Sequence, residues 1–335
     1  MGGFAQFAGT LGSKHPEARV LLAPMSGVSD LGMRRAAQDF GASLVVTEMV
    51  DSAFFMAGEA AARLKADGAG IACHVVQIAG CDPGRLAEAA KLAEGEGAAM
   101  VDINMGCPAR KVVGGLAGSA LMRDLDHAVT LIRAVVGAVS VPVSLKMRLG
   151  WDDASRNAPE LARRAEAEGV AMVTVHGRTR CQFYKGAADW TAIRAVVDAV
   201  AVPVVANGDC TSAADARAML AASGADAVMV GRAAVGRPWL VGGIGRALDG
   251  EGEPDAPPAA ARRDAALAHY DTLLAGFGVS HGVRHARKHL AGYATHAGFG
   301  PATAAHRALV TSDDPADVRA RLAEIFMDTR SELAA

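Results

Sequence analysis

A cysteine that stands between a glycine and a proline, Cys107, has the clearest chemical potential in this sequence. It follows the hydrophobic run "AMVDIN", which begins at Ala99 and ends at Asn104. A thiol just beyond a strand can act as a proton donor or a nucleophile, or it can fill space as a small apolar group. The glycine-rich stretch "VVGGLAGS" comes next, so we expect a mobile loop here. The groups that the thiol faces decide among these roles.

Polar residues in other hydrophobic runs also allow more than one interpretation. Lys146 stands inside "VPVSLKM", where an unpaired ammonium group would cost desolvation free energy. It could lie beside an anionic flavin ring, form a Schiff base as in an aldolase-type barrel, or pair with Glu48 or Asp102. Gln77 could hydrogen-bond the edge of a heterocycle or only its own backbone neighbours. His176 could be a core histidine, although the "GR" that follows it favours a site.

Two glycine-containing motifs predict a phosphate site. They are "NGD" at Asn207, Gly208 and Asp209, and "GR" at Gly231 and Arg232. Glycines expose backbone N–H groups, a following helix contributes the positive end of its dipole, and arginine supplies a fork of donors. Either glycine alone could be an ordinary turn residue. Since the sequence has neither a P-loop nor a GxGxxG motif, the site favours a mononucleotide such as FMN.

The hydrophobic pattern predicts the elements that bring these residues together. Eight apolar runs alternate with alanine-rich helical patterns; they begin at Val20, Ser43, Ile71, Ala99, Val141, Val170, Val202 and Ala225. Continuous apolar strands alternating with helices indicate parallel strands buried on both faces. We therefore assign the α/β class and a TIM (β/α)8 barrel, in which the strand ends face one mouth. An open doubly wound sheet is the alternative.

The pattern changes after Arg246 and divides the chain. We predict a catalytic barrel domain at residues 1–246 and a linker at 247–259, because "LDGEGEPDAPPAA" is rich in glycine, proline and acidic residues. Apolar residues at helical spacing in "RRDAALAHYDTLLAGF" and "VRHARKHLAGYATHAG" predict two helices. An Asp cap followed by proline predicts another in "DDPADVRARLAEIF". The barrel is thus followed by a C-terminal all-α helical domain at 260–335.

The charge pattern bears on possible partners. A formal net charge of −2 gives no global case for nucleic acid, so a polyanion must meet a local basic patch. The stretch between Asp271 and Asp313 contains no acidic residue, and Arg284, Arg287 and Lys288 share one helix face within it. Such a cluster usually marks a solvated face, but the absence of acids over the whole stretch favours RNA.

The composition argues against several classes of protein. No apolar run reaches the roughly 20 residues of a membrane span, and the N-terminus is unlike a secretory signal. The five cysteines show no paired-ligand spacing, so we expect no metal and no disulfide. Four of them are interpreted as packing residues: Cys73, Cys81, Cys181 and Cys210. We expect a cytoplasmic protein that acts as a monomer.

The motifs together resemble the tRNA-dihydrouridine synthase family over nearly the whole chain. "APMSGVSD" is similar to its opening motif, "DINMGCPARKV" to its catalytic loop and "VRHARKHLAGY" to a motif of its helical domain. "KMR", "HGRTR", "NGD" and "ADAVMVGR" follow in the family's order. The cysteine loop is most similar to that of the bacterial B-type subgroup. Ser26, Ser29 and Tyr293 depart from the usual residues, and none of these departures touches the implied chemistry.

The resemblance implies reduction of the carbon 5–carbon 6 double bond of specific uridines in the tRNA D-loop, with FMN as cofactor and NADPH or NADH as reductant. Cys107 would be the catalytic acid, a protonated thiol that donates to carbon 5 after hydride reaches carbon 6. The implied FMN contacts are Pro24, Met25, Ser26, Gln77, Lys146, His176, Asn207, Gly208, Asp209, Gly231 and Arg232. The implied tRNA contacts are Asn104, Arg148, Arg178, Arg284, Arg287 and Lys288.

The residues leave three other functions open. An FMN barrel oxidoreductase acting on a free pyrimidine, such as dihydroorotate, would share the phosphate site and the cysteine chemistry but would not need the basic helix. A flavin-free aldolase-type barrel would use Lys146 as a Schiff base. An RNA-binding module with an inert barrel mouth would need only the basic patch.

Overall fold

Parallel strands close into a barrel in the computed structural model, which describes residues 3–252 and 255–327. The strands are β1 Val20–Leu22, β2 Leu44–Val46, β3 Val50–Asp51, β4 His74–Ala79, β5 Met100–Met105, β6 Val143–Arg148, β7 Met172–His176, β8 Val204–Asn207 and β9 Ala227–Val230. Eight of these described strands pair in parallel around a closed ring, in the order β1-β2-β4-β5-β6-β7-β8-β9 and back to β1, and β3 pairs with β4. The predicted TIM barrel is confirmed, and the open sheet is wrong because the sheet has no free edge between β2 and β4.

The second strand of the barrel is divided in two. Both β2 and β3 pair with β4, with Val46 opposite Val75 and Val50 opposite Ile78. Residues 47–49 interrupt this strand; the predicted run from Ser43 ends at Glu48, inside the interruption, and β3 was not predicted. The Thr47 hydroxyl accepts the N–H of Gln77 at 2.9 Å, so a side chain replaces the missing backbone hydrogen bond.

Helices precede, connect and follow the strands of the barrel, and most of them cover its outer face. They are α1 Gly3–Thr10, α2 Leu31–Asp39, α3 Ser52–Met56, α4 Ala60–Ala66, α5 Pro83–Gly95, α6 Arg110–Gly114, α7 Leu125–Val136, α8 Ala158–Ala167, α9 Arg194–Val197, α10 Ala213–Ser223 and α11 Trp239–Leu248. A glycine ends α10: Gly224 has φ 70° and donates its N–H to the carbonyl of Leu220.

The first helix covers the lower end of the barrel. Phe4 and Ala8 of α1 pack in one apolar cluster with Leu21, Val75 and Val205, which project from three strands. Phe4 is fully buried. Helix α1 was not predicted, because eight residues with no N-terminal capping signal give little sequence pattern. Its packing closes the end of the barrel that lies away from the carboxyl ends of the strands.

Four further helices follow the barrel and enclose their own core. They are α12 Ala259–Phe277, α13 Val279–His296, α14 Ala304–Thr311 and α15 Pro315–Glu324. Tyr270, Leu290, Tyr293, Leu309 and Leu322 are buried together between them. The predicted helices are confirmed, and the α15 N-cap Asp314 accepts the N–H of Ala316. Helix α14 is an addition to the sequence prediction.

The segment between α11 and α12 contains no helix in its described residues, 249–252 and 255–258. The predicted linker at 247–259 therefore overlaps the last two residues of α11 and the first of α12. Of the predicted helical domain, residues 328–335 lie outside the described residues. Among the residues that are described, no helix combines the length and apolar character needed to cross a membrane.

Candidate active site

A cavity of about 830 Å³ opens at the carboxyl ends of the strands. This volume lies in the usual range for small-molecule sites, roughly 300–1,000 Å³. Most residues predicted for the site line it: Pro24, Met25, Ser26, Gln77, Asn104, Cys107, Lys146, Arg148, His176, Asn207, Gly208, Asp209, Gly231 and Arg232. The parallel barrel brings these residues together because each follows or ends a strand that points to the same mouth.

The backbone of Cys107 is held from two sides while its side chain lines the cavity. Its N–H donates to Asn104 Oδ1 at 3.0 Å. Its carbonyl oxygen accepts the N–H and the hydroxyl of Ser119, at 3.1 and 2.8 Å. The thiol is thus anchored at the mouth rather than sealed beneath the strands. The mobility of the following loop stays a prediction; Arg110 and Lys111 in α6 are exposed.

A chain of polar side chains runs from inside the barrel to this loop. The Ser144 hydroxyl donates to Asp102 Oδ1 at 2.6 Å, and Gln77 Nε2 donates to Asp102 Oδ2 at 2.7 Å. Asn104 Nδ2 donates to Gln77 Oε1 at 2.7 Å. Burial raises the pKa of Asp102, against the lowering effects of Gln77, Ser144 and Lys146. Gln77 therefore bonds neighbouring side chains, in addition to facing the cavity.

Lys146 projects from β6 and donates from Nζ to Asn207 Oδ1 at 3.0 Å. Asn207 in turn donates to the carbonyl of Met229 at 2.8 Å. Burial lowers the pKa of Lys146 to about 8, while the nearby Asp102 opposes that shift. The hydrogen-bond partner of the ammonium is thus an amide rather than Glu48 or Asp102. A cation held this way can attract an anionic group in the cavity.

The predicted phosphate region contains an ion pair between a buried arginine and a partly exposed carboxylate. Arg178 donates from Nη1 and Nη2 to the two carboxylate oxygens of Asp209, at 3.0 and 2.5 Å. Arg232 approaches the same carboxylate at 3.3 Å and is largely exposed. Burial and the cations around it hold the pKa of His176 well below its usual range, so the imidazole is neutral. Asp209 itself adopts φ 57° and accepts the N–H of Ala188.

Arg178 does not lie where the resemblance implied. Its side chain is only 1% exposed, and it also donates to the carbonyl oxygens of Lys185 and Gly186. The structure therefore keeps its guanidinium group out of the cavity. The physical reason is the loop after β7, which folds back and surrounds the group with Asp209 and two carbonyl oxygens.

Tyr184 is a cavity residue that sequence reasoning missed. Two guanidinium groups lie near its ring, with Arg148 Cζ 5.5 Å and Arg232 Cζ 5.1 Å from the ring centroid. Cations at these distances from an aromatic face are attracted to it. The side chain is 54% exposed, so its ring can stack on a planar ligand. The signal was available in "GRTRCQFYKG", because aromatic residues interleaved with basic ones are typical of nucleic-acid sites.

The predicted basic patch lies on α13, outside the cavity. Arg284 is exposed, and Arg287 pairs with Asp313 at 2.7 Å. Lys288 donates from Nζ to the carbonyl oxygen of Gly27, in the loop after β1. The patch therefore adjoins the mouth through a direct contact.

A second contact joins the helical segment to the same loop. Asp30 is the N-cap of α2, and His269 Nε2 lies 3.0 Å from its Oδ1. His289 Nε2 lies 3.2 Å from the other oxygen of Asp30, and His269 Nδ1 lies 3.0 Å from the Tyr293 hydroxyl. All these side chains are buried. The histidines of α12 and α13 thereby fix the end of the loop that starts at the cavity wall.

The remaining cysteines fall into two groups. Cys73 and Cys210 are buried, and burial raises the pKa of each thiol to about 12, in keeping with a packing role. The packing interpretation is wrong for Cys181, which is exposed in the loop after β7. Cys81 is partly buried.

Known proteins resemble this chain over most of its length. A family described as "Dihydrouridine synthase (Dus)" matches residues 21–329. A "Probable tRNA-dihydrouridine synthase" of Rhizobium leguminosarum bv. phaseoli is 54% identical over 308 residues, which are 91% of this chain and 94% of that protein. The "tRNA-dihydrouridine synthase B" of Xanthomonas axonopodis pv. citri is 45% identical, over 92% of this chain and 93% of that protein.

A solved structure, histamine dehydrogenase from Rhizobium sp. 4-9, superimposes with a TM-score of 0.52 at 13% identity. The match covers 76% of this chain and 49% of that one. At this identity the similarity concerns the fold alone.

Proposed function

Because the chain belongs to the dihydrouridine synthase family, we propose that it reduces uridines of the tRNA D-loop to dihydrouridine, using FMN and NADPH or NADH. The observation that carries this proposal is the cavity at the barrel mouth, where the Cys107 side chain shares one space with Lys146, Gln77 and Arg232. An acid, a cation and an amide edge around one cavity suit a planar anionic cofactor and a pyrimidine substrate.

The cavity residues fit FMN in three respects. Gln77 and Lys146 offer donors on the floor, as the pyrimidine edge of a flavin requires. Arg232 is 64% exposed at the rim and suits a phosphate. A Cβ at Gly231 would point toward the Met25 sulfur, 3.6 Å away, so its absence enlarges the cavity between β9 and β1.

The FMN contacts that we propose are those implied above. Pro24, Met25 and Ser26 would pass along the ring, and Asn207 would hold Lys146 toward it. His176, Gly208 and Asp209 would border the phosphate end beside Arg232. As a neutral group, His176 can accept or donate there without adding charge.

The chain's own residues then supply orientation and a proton. Bound FMN would supply the hydride that reaches carbon 6 of the uracil. Asn104 and Arg148 would orient the base, and Tyr184 would stack beside it. Cys107 Sγ would donate its proton to carbon 5, and the thiolate would regain one from solvent. Arg178 has a supporting role in this scheme, because it fixes the carboxylate of Asp209.

The tRNA would be held mainly by phosphate contacts. Turning a uridine out of its stack costs a few kcal/mol, and contacts of the basic patch with phosphates would offset that cost. Arg284, Arg287 and Lys288 carry this role, with the helical domain at 260–335 as the tRNA-binding part beside the barrel domain at 1–246. We further propose that the enzyme is a cytoplasmic monomer.

One experiment separates this function from its rivals. The purified protein is incubated with NADPH and either unmodified tRNA, free uridine or orotate, and dihydrouridine formation and NADPH consumption are measured. We expect a yellow protein and product only with tRNA. Turnover of a free pyrimidine would replace the proposal with the small-molecule oxidoreductase. A colourless protein that takes up no FMN would exclude both.

A further inference from the structure

Asp102 is a buried carboxylate that the proposed function does not use. It lies at the middle of β5, opposite Gln77 of β4 and Ser144 of β6 in the strand register. Its side chain is 3% exposed, and burying a charged group costs free energy unless partners compensate it. A small apolar residue would fill this position at lower cost. The contacts of Asp102 therefore need an explanation beyond packing.

The carboxylate sets the direction of the hydrogen bonds that lead to the mouth. An ionised carboxylate can only accept, so Gln77 must turn its Nε2 toward Asp102 and its Oε1 away from it. Oε1 then faces Asn104, which must present its Nδ2. Asn104 Oδ1 is left to accept the N–H groups of Gly106 and Cys107, at 3.2 and 3.0 Å. Each amide along this path has one orientation.

We propose that Asp102 is a positioning residue: through Gln77 and Asn104 it fixes the amide edge presented to the flavin and the backbone that carries Cys107. The inference rests on the proposed function, because it assigns Gln77 to the cofactor and Cys107 to the substrate. It adds that one buried group orients both. Ser144 and Lys146 support the carboxylate, the first by a 2.6 Å hydrogen bond and the second by charge.

The test reverses the donor-to-acceptor direction of the hydrogen bonds between residues 102, 77 and 104 without removing these bonds. In the double variant Asp102→Asn/Asn104→Asp, the carboxylate, which can only accept hydrogen bonds, is moved from position 102 to position 104. Gln77 must then turn its Oε1 toward position 102 and its Nε2 toward position 104. The total charge is unchanged, and the carboxylate introduced at position 104 can still accept the N–H of Cys107. The single variant Asp102→Asn leaves the amide of Gln77 free to adopt either orientation.

The measurements are the FMN dissociation constant of the full-length protein, its melting temperature, and dihydrouridine formation. We expect a few-fold weaker FMN binding for Asp102→Asn. For the double variant we expect a melting temperature close to that of the parent but FMN binding weaker by about tenfold or more, which is about 1.4 kcal/mol per factor of ten. Asp226→Asn is the matched control, because Asp226 accepts the N–H of Val204 at 2.9 Å, at the opposite end of the strands.

The outcomes separate this inference from the proposed function. If Asp102 only stabilised the fold, Asp102→Asn would lower the melting temperature and leave FMN affinity unchanged, which would overturn the inference. Unchanged FMN affinity in the double variant would overturn it as well. A parent protein that binds no FMN or forms no dihydrouridine refutes the proposed function itself, whatever the variants do.

Discussion

Lys288 of α13 donates a hydrogen bond to the carbonyl oxygen of Gly27, so a residue of the basic patch holds the loop that lines the cavity at Met25 and Ser26. Glu48 accepts the N–H of the same Gly27, so this residue is held at both its N–H and its carbonyl oxygen. The proposed site for the tRNA backbone and the wall of the cavity thus share a side chain. This relationship makes Lys288 different from Arg284, which is exposed on the same helix.

We expect Lys288→Met to weaken both tRNA and FMN binding, and Arg284→Met to weaken tRNA binding alone. Loss of either cation should flatten the salt dependence of tRNA affinity by about one unit of slope. Loss of the Gly27 contact should also raise the FMN dissociation constant several-fold. Filter binding at several salt concentrations and flavin fluorescence check both effects. Equal FMN affinity in the two variants would show that the Gly27 contact does not support the cavity wall.

Cys107→Ala should separate cofactor chemistry from product formation. The variant keeps the hydrogen bond from its backbone N–H to Asn104, so the loop stays anchored. We expect normal FMN content and slow oxidation of NADPH, but dihydrouridine formation reduced by roughly 10²–10⁴-fold, the usual worth of a general acid. Quantifying dihydrouridine in digested tRNA provides the measurement. Cys181→Ala, at an exposed thiol, is the control and should behave like the parent. Product from Cys107→Ala at the parent's rate would mean that another group donates the proton.

Lys146 should make FMN affinity depend on pH. Its pKa is lowered to about 8 by burial, so the ammonium is present below this value and is lost as the pH rises through it. We expect FMN affinity to fall above about pH 8 in the parent and to stay level in Lys146→Arg, whose guanidinium remains charged. Unfolding does not explain such a fall. A lysine whose pKa is lowered in the folded state raises the free energy of unfolding as the pH increases from about 8 toward its ordinary value. A parent curve parallel to that of Lys146→Arg would contradict the role of the ammonium.

His289 should link the stability of the protein to acidification. Burial lowers the pKa of His289 from 6.5 to about 4. Between pH 6.5 and about pH 4, His289 is therefore protonated in the unfolded chain but not in the folded protein. The free energy of unfolding should therefore fall as the pH drops across this interval, by up to roughly 3 kcal/mol. Asp30 acts in the same direction at lower pH, since its pKa lies well below the usual range in the folded state and its stabilising charge is lost on protonation. Urea titrations of the parent and of His289→Leu, performed at several pH values, should show a shallower dependence in the variant. An identical dependence would assign the acid sensitivity to other groups.

The sequence is informative where one periodic pattern determines many positions. Parallel apolar strands send their last side chains to one end of a barrel, so Gln77, Asn104 and Lys146 could be grouped from their place in the runs alone. Their partners could not be predicted. Lys146 bonds Asn207 rather than a carboxylate, because the strand register sets Asn104 and Thr174 beside it and leaves Asn207 within reach.

The conformations of irregular segments could not be predicted from the sequence pattern. Arg178 was grouped with the tRNA contacts, but the loop after β7 folds around it and turns Tyr184 toward the cavity instead. The break between β2 and β3 leaves no mark on the hydrophobic periodicity. It depends on one side-chain contact, in which the Thr47 hydroxyl accepts the N–H of Gln77. Loop conformations depend on contacts between residues distant in sequence, which spacing along the chain does not encode.

The small helix beneath the barrel has a kinetic consequence. Phe4 and its neighbours pack across the lower end of the barrel, so the cavity lined by the described residues opens at the carboxyl ends of the strands, and the proposed nicotinamide and uracil reactants would enter by that same opening. If both proposed reactants reach the cofactor through this opening, they would bind one after the other. The oxidised nicotinamide would then leave before tRNA binds. Double-reciprocal plots of initial rate against NADPH concentration, at several fixed tRNA concentrations, should therefore be parallel.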